Sequence, residues 1–283
     1  MRDTAPHTSL AGKGVTLFAA GDIADCDERG PQYSGAAKTA ALIDSLLAKD
    51  SEAVVLSLGD NTYPLGLLSE FTDCYDPTWG KFKARTYPVV GNHEYYSPLA
   101  AGYYAYFGAA AGPGRRGYYS FDMGSWHIVA LNSYLRPAQH KAQLEWLQAD
   151  LAKNTSRCML AFWHHPRYSS VGHGNNPHMD EAWKMLSTAG AEVVLSSHDH
   201  NYERFVPLDG NGQRDEQSGM RQFVVGTGGA KLTPLLWRNP ESSVVNNSTH
   251  GVLKMVLKDA GYEWEFLPVK QGGFSDSGTA LCH

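Results

Sequence analysis

A chain of 283 residues with 42% hydrophobic and 19% charged residues has the material for a sizeable core and lies outside the composition of disordered chains. Its formal charge of −5 lacks the basic excess that phosphate backbones require, so nucleic acid is not an expected partner, whereas a phosphorylated small molecule is compatible because bound cations reverse a local field. No apolar run approaches the ~20 residues that span a bilayer, so no membrane partner is expected. The opening MRDTAPHTSLAGKG carries no apolar signal segment and is expected to be a flexible N-terminal stretch over residues 1–14.

Val15–Ala20 is a short apolar run ending in Gly-Asp, which predicts a buried strand opening into a loop. Gly35–Lys49 carries Ala37, Ala40, Ala41, Ile43, Leu46 and Leu47 at helical spacing. Ala53–Leu58 is a second buried strand ending in Gly-Asp, and Tyr87–Val90 a third ending in Gly-Asn-His. This strand–helix rhythm predicts a mainly parallel sheet. Tyr118–Phe121 and Trp126–Asn132, separated by Asp-Met-Gly-Ser, read as a hairpin. Ala138–Lys153 is a helix started by Pro137; Met159–Trp163 is a strand ending in His-His-Pro. His178–Ala189 reads as a helix and Glu192–Ser196 as a strand ending in Ser-His-Asp-His. Gln222–Gly226, Val252–Leu257 and Tyr262–Leu267 are strands without intervening helices, so the last third is expected to be antiparallel, with Gly210–Gly219 and Leu235–Thr249 as loops. No boundary demands a second domain, and residues 1–283 are read as one.

The chemistry lies in where these strands stop. Five of them end in residues able to bind metal: Asp22, Asp60, Asn92 with His93, His164 with His165, and His198 with His200. Ligands of open α/β sheets bind outside the carboxyl ends of the strands. A single Gly-Asp at such a position is also a common turn, and a single His a common hydrogen-bonded side chain; it is the joint placement that indicates a site. In an extended His198–Asp199–His200 the two imidazoles share a face while Asp199 points away toward an outer shell. Asp60, directly after its strand, has two oxygens with which to bridge two cations. Tyr63 follows in the same loop, and a phenolate is a hard donor suited to Fe(III).

The blocks G-D-I-A (Gly21–Ala24), G-D-N-T-Y (Gly59–Tyr63), G-N-H-E (Gly91–Glu94), W-H-H-P (Trp163–Pro166) and S-H-D-H-N-Y-E-R (Ser197–Arg204) together resemble the purple acid phosphatases, within the calcineurin-like metallophosphoesterases. The resemblance runs from about Val15 to Arg204 and weakens beyond. It implies a four-layer α/β/β/α sandwich of two mixed sheets in a short, single-domain, bacterial-type form without the plant-type N-terminal β domain. It also implies hydrolysis of phosphate monoesters by a metal-activated hydroxide at a dinuclear centre of Fe(III) and a divalent ion (Zn, Mn or Fe), with inorganic phosphate as product. Carried over by residue, Asp22, Tyr63 and His200 bind the iron, Asn92, His164 and His198 the divalent ion, and Asp60 bridges. His93 and His173 match the family's substrate-contacting histidines, either donating a proton to the leaving alkoxide or hydrogen-bonding the phosphate. Ala24, Ser197 and Ala161 depart from the family's usual Gly, Gly and Val, which leaves loop geometry open.

Cys26 and Cys74 both follow strands that carry these residues, which favours pairing them and leaves Cys158 with Cys282, although four cysteines allow three connectivities. The resemblance to exported enzymes implies an extracellular or periplasmic protein. Two other readings remain. A phosphodiesterase on the same scaffold, acting for example on nucleotide diesters, differs mainly in the Tyr-rich Tyr95–Tyr118 insertion, whose rings either stack on a substrate or pack locally, the latter favoured. A purely structural metal staple conflicts with seven donors plus two spare histidines, because structural sites are normally closed and mononuclear.

Overall fold

In the computed structural model the described residues are 10, 12, 14–26, 30–235 and 237–283; most of the expected N-terminal segment lies outside them. The first sheet is built from β1 (Val15–Ala20), β2 (Val54–Ser57), β3 (Thr86–Pro88), β11 (Gly251–Lys258), β12 (Gly261–Pro268) and β13 (Ser277–Leu281), in the order β13-β12-β11-β1-β2-β3. Strands β1, β2 and β3 are parallel, and β11 runs antiparallel to β1. The second sheet holds β4 (Tyr119–Met123), β5 (Trp126–Ala130), β6 (Cys158–Phe162), β7 (Val193–Ser196), β8 (Tyr202–Phe205), β9 (Arg221–Val225) and β10 (Ser242–Asn246), in the order β10-β8-β9-β7-β6-β5-β4.

The burial pattern shows why the sheets face each other. Side chains alternate across a strand, and in β6 Cys158, Leu160 and Phe162 join the core between the sheets while Met159 and Ala161 join a second core beyond. That second core is closed by α4 (Pro137–Leu151) through Leu147 and by α5 (Asp180–Thr188) through Ala182, Trp183 and Leu186. On the opposite side α1 (Gly35–Leu47) lays Ala36, Ala40, Ile43 and Leu47 against the first sheet. The residues sit about one helical turn apart, and the small ones let the helix approach closely. Ser34 caps α1, its Oγ accepting the Ala37 N–H at 3.1 Å. The result is helix, sheet, sheet, helix, the four-layer arrangement that the family resemblance implies.

Several readings from sequence are corrected. Strand–helix rhythm alone reads as one mainly parallel sheet; the strands instead divide between the two mixed sheets that the resemblance implies. The last third is not uniformly antiparallel, because β9 pairs in parallel with β7. Strand β10 lies inside the segment read as a loop; its partner register shifts between Ser242 and Val244, and most of it is only partly buried, so its polar residues mask the strand pattern. Between Pro64 and Arg116 the chain forms short helical pieces, among them the single turn α2 (Leu68–Glu70) and α3 (Ala101–Phe107). Tyr106 and Phe107 are buried there against Phe71 and Tyr75, with Tyr103 on Phe107 and Tyr104 on Tyr103, the local packing favoured above.

Both cysteine pairs form as expected: Cys26–Cys74 with Cα atoms 5.8 Å apart and Cys158–Cys282 at 5.7 Å. The second ties β6 in one sheet to the chain end just beyond β13 in the other.

Candidate metal centre

Strands β1, β2 and β3 deliver Asp22, Asp60 and Asn92 from the first sheet, and β6 and β7 deliver His164 and His198 from the second. The carboxyl edges of the two sheets therefore meet over one site. The chain reverses sharply as it leaves these strands: Asp22, Asp60 and His198 have φ of 58°, 46° and 68°. A left-handed conformation costs about 1 kcal/mol or more in a non-glycine residue and concentrates at functional sites. His198–Asp199–His200 is thus a bend rather than the extended segment expected, which carries the two imidazoles to different partners. The glycines ahead of the donors have a packing reason. Gly59 has φ +90° and a Cβ there would lie 2.7 Å from His164 Nδ1; at Gly91 it would lie 2.2 Å from Asp60 Oδ1.

The seven expected donors converge as two groups. In one, Tyr63 Oη lies 2.9 Å from Asp22 Oδ1 and 3.1 Å from His200 Nε2, with His200 Nε2 3.3 Å from Asp22 Oδ1. In the other, His164 Nε2 lies 3.2 Å from Asn92 Oδ1 and 3.2 Å from His198 Nδ1. Asp60 Oδ2 joins them, 3.3 Å from Tyr63 Oη and 3.3 Å from His164 Nε2. Asp22, Asp60 and His164 are buried.

The donor set fits cations. His200 Nδ1 faces the Lys231 carbonyl at 2.7 Å and His164 Nδ1 the Leu58 carbonyl at 3.0 Å. A carbonyl only accepts, so each Nδ1 carries a proton and each Nε2 turns toward the carboxylates, the usual orientation of a metal-binding imidazole. Burial opposes the charge of Asp60, yet neighbouring His164 outweighs it and holds the carboxyl below its usual range. Burial likewise disfavours imidazolium, but Asp60 pushes His164 up to about 9 and Asp22 pushes His200 up to about 9. The cluster draws positive charge into a buried place. Burial, then Asp22 and Asp60, push the Tyr63 phenol well above its ordinary value, so a strongly charged cation is needed to displace its proton. His164, His165 and His198 also bring nitrogens within 4.8 Å of one another, but His165 Nδ1 is engaged by Ser133 Oγ at 2.9 Å.

Around the donors sits a shell of buried acids. Glu94 accepts N–H groups from Gly91 at 2.6 Å, Asn61 at 2.6 Å and Asp60 at 3.2 Å, fixing the turns after β2 and β3 together. Burial and the charge of Asp60 push it up to about 7. Asp199 points away from the donors, as expected, and its Oδ1 meets His173 Nδ1 at 2.7 Å. The His173 ring lies 4.2 Å from that of His198, while the His93 ring lies 4.4 Å from Tyr63 with Nδ1 2.7 Å from the Pro64 carbonyl. His93 and His173 therefore flank opposite donor groups. The Gly-rich segment around His173 is a turn closed by Gly174 N–H to Val171 O at 2.8 Å.

The departures from the family pattern are accommodated. Neither Ala24 nor Ser197 has a positive φ, so neither position demands glycine. Ser197 Oγ instead donates to the Leu58 carbonyl at 2.6 Å and lies 3.0 Å from His164 Nδ1. Sequence reasoning did not assign the Ser133–His165 contact, because Ser133 follows β5 and no motif joins the two.

A family model described as calcineurin-like phosphoesterase matches residues 15–202. Purple acid phosphatase 22 of Arabidopsis thaliana is 28% identical over 256 residues, covering 80% of this chain and 56% of its own length. Purple acid phosphatase 21 of the same plant is 32% identical over 163 residues, covering 52% of this chain and 36% of itself. The chain thus spans about a third to just over half of these relatives. A solved purple acid phosphatase from yellow lupin (Lupinus luteus) seeds superposes with a TM-score of 0.73 at 20% identity, covering 95% of this chain and 54% of that one; at that identity the likeness is one of fold.

Proposed function

For a chain that belongs to the calcineurin-like phosphoesterase family, we propose hydrolysis of phosphate monoesters at a dinuclear Fe(III)–divalent centre in an exported protein. The observation that carries the reading is Asp60 Oδ2 lying 3.3 Å from both Tyr63 Oη and His164 Nε2, one carboxylate oxygen between two donor groups. Asp22, Tyr63 and His200 would hold the iron, Asn92, His164 and His198 the divalent ion (Zn, Mn or Fe), with Asp60 shared. When bound, the two cations supply positive charge to the phosphoryl oxygens and acidify the attacking water.

The chain's own residues do the rest. Three ligands, Asp22, Asp60 and Tyr63, bind as anions and leave the centre with a small positive charge that attracts a phosphate despite the acidic surface. His93 and His173 reach the phosphate from opposite sides, and Asp199 fixes the His173 ring so that Nε2 is the atom presented to substrate. A proton on either imidazole is positioned for the leaving alkoxide. Glu94 keeps Asp60 and Asn92 at a fixed separation through backbone N–H groups. The pair of disulfides and the resemblance to exported enzymes support an oxidising location.

The test is metal analysis combined with a panel of phosphate esters. Two metal ions per chain with turnover of monoesters faster than of diesters is the expected result; a preference for diesters would overturn the monoester reading.

A further inference from the structure

Beside the donors, on the His165 side, runs a groove of about 750 Å³. The loop after β5 and the segment after β3 form its walls, and His165 is shared between groove and metal centre: its ring lies 4.2 Å from that of His198. The His165 ring is stacked on Tyr134, with planes 12° apart and centroids 5.7 Å apart, and Tyr95 packs against Tyr134 at 5.3 Å. Tyr134 is 44% exposed, and Leu99 at the same groove is 81% exposed. Tyr134 and Leu99 thus leave apolar area open along the same groove. Among the described residues no carboxylate lines the groove, and Arg136 and Gln139 supply donors at its wall.

Resting on the monoester reading above, we infer that this groove holds the leaving group of the ester and selects a planar aromatic one of nucleoside size. The volume lies within the range of nucleotide-sized sites. A flat ring system gains from packing against the exposed part of the Tyr134 ring, where a sugar or alkyl chain gains only area. His165 then acts as a positioning residue, holding the Tyr134 platform at the edge of the metal centre through its stacking and its contact with Ser133.

Adenosine 5′-monophosphate and ribose 5-phosphate share the same primary alkoxide and differ only in the base, so comparing them isolates stacking from leaving-group acidity. The metal-loaded enzyme is expected to show kcat/KM about tenfold higher for the nucleotide, carried by KM. Tyr134→Ala should remove that preference, and Tyr134→Phe should retain it. Equal kcat/KM in the wild type, or a preference that survives Tyr134→Ala, overturns the inference. Calorimetric binding of adenosine to the protein as isolated separates the two readings. If neither ester is hydrolysed the monoester reading fails, while adenosine binding that is lost in Tyr134→Ala still supports the groove and absence of binding sinks it.

Discussion

Glu94 and Asn61 stand 33 residues apart, yet the buried Glu94 carboxylate accepts the Asn61 backbone N–H at 2.6 Å. With Gly91 N–H at 2.6 Å on its other oxygen, the same carboxylate holds the turns that present Asp60 and Asn92. Glu94→Ala leaves these buried N–H groups without an acceptor, at a cost of about 1–3 kcal/mol each. Metal affinity should fall by about 10–100-fold, read by equilibrium dialysis against a chelator, with unfolding at lower temperature. Wild-type affinity in a folded variant would remove Glu94 from the positioning of the donors.

Tyr63 is the donor on which the proposed iron centre rests. Tyr63→Phe should abolish the visible absorption of a phenolate–iron bond while the overall fold, read by circular dichroism, stays unchanged. A colourless wild-type enzyme that is fully metallated and active would show the iron–phenolate assignment to be wrong.

His198 is held in a left-handed conformation, with its backbone N–H donating to Asp22 Oδ2 at 2.8 Å and its ring beside His164. It thus touches both donor groups. His198→Ala should lower bound metal by about one ion per chain and reduce turnover by at least about 100-fold. Unchanged metal content and rate together would refute the ligand set.

Away from the site, His127 bridges two acids, Nδ1 to Asp122 at 2.8 Å and Nε2 to Asp150 at 2.9 Å, pinning the β4–β5 hairpin to α4. Burial disfavours its charge, but the two carboxylates outweigh burial and raise its pKa above the usual value. A raised folded-state pKa stabilises most when the unfolded histidine is also protonated, so the contribution is full below about pH 6.5 and fades as pH rises through the folded value. His127→Gln should therefore lower the melting temperature most near pH 5–6, with a deficit of about 1 kcal/mol that shrinks toward pH 9. A deficit independent of pH would mean that packing, not charge, is what His127 provides.

The disulfides close stretches of 48 and 124 residues. Thiol titration of the denatured, unreduced protein should find none of the four cysteines free; four titratable thiols would contradict the pairing. Cys282→Ser should destabilise by about 2–5 kcal/mol, read by chemical denaturation, because it releases the chain end that ties the two sheets.

How much of this was readable in the residue order depends on range. Strands β1 and β6 and the helix α4 are found within one or two residues, because buried strands and a Pro-started helix are written in local periodicity. Strand β10 was not, since its polar residues pair only with β8 and nothing nearby in sequence signals that edge. The donors were readable because each lies in the loop that follows an apolar strand.

Residue order alone supplied the donor types, their place at strand ends and the family to which those blocks point, since each is a property of a few consecutive residues. It did not supply the division of the strands between two sheets, the bend at His198, the Glu94 clamp or the groove at Tyr134. Those arise from contacts between segments 30 to 180 residues apart, such as Asp22 with His198, which exist only once two hydrophobic faces have packed and brought their carboxyl edges together.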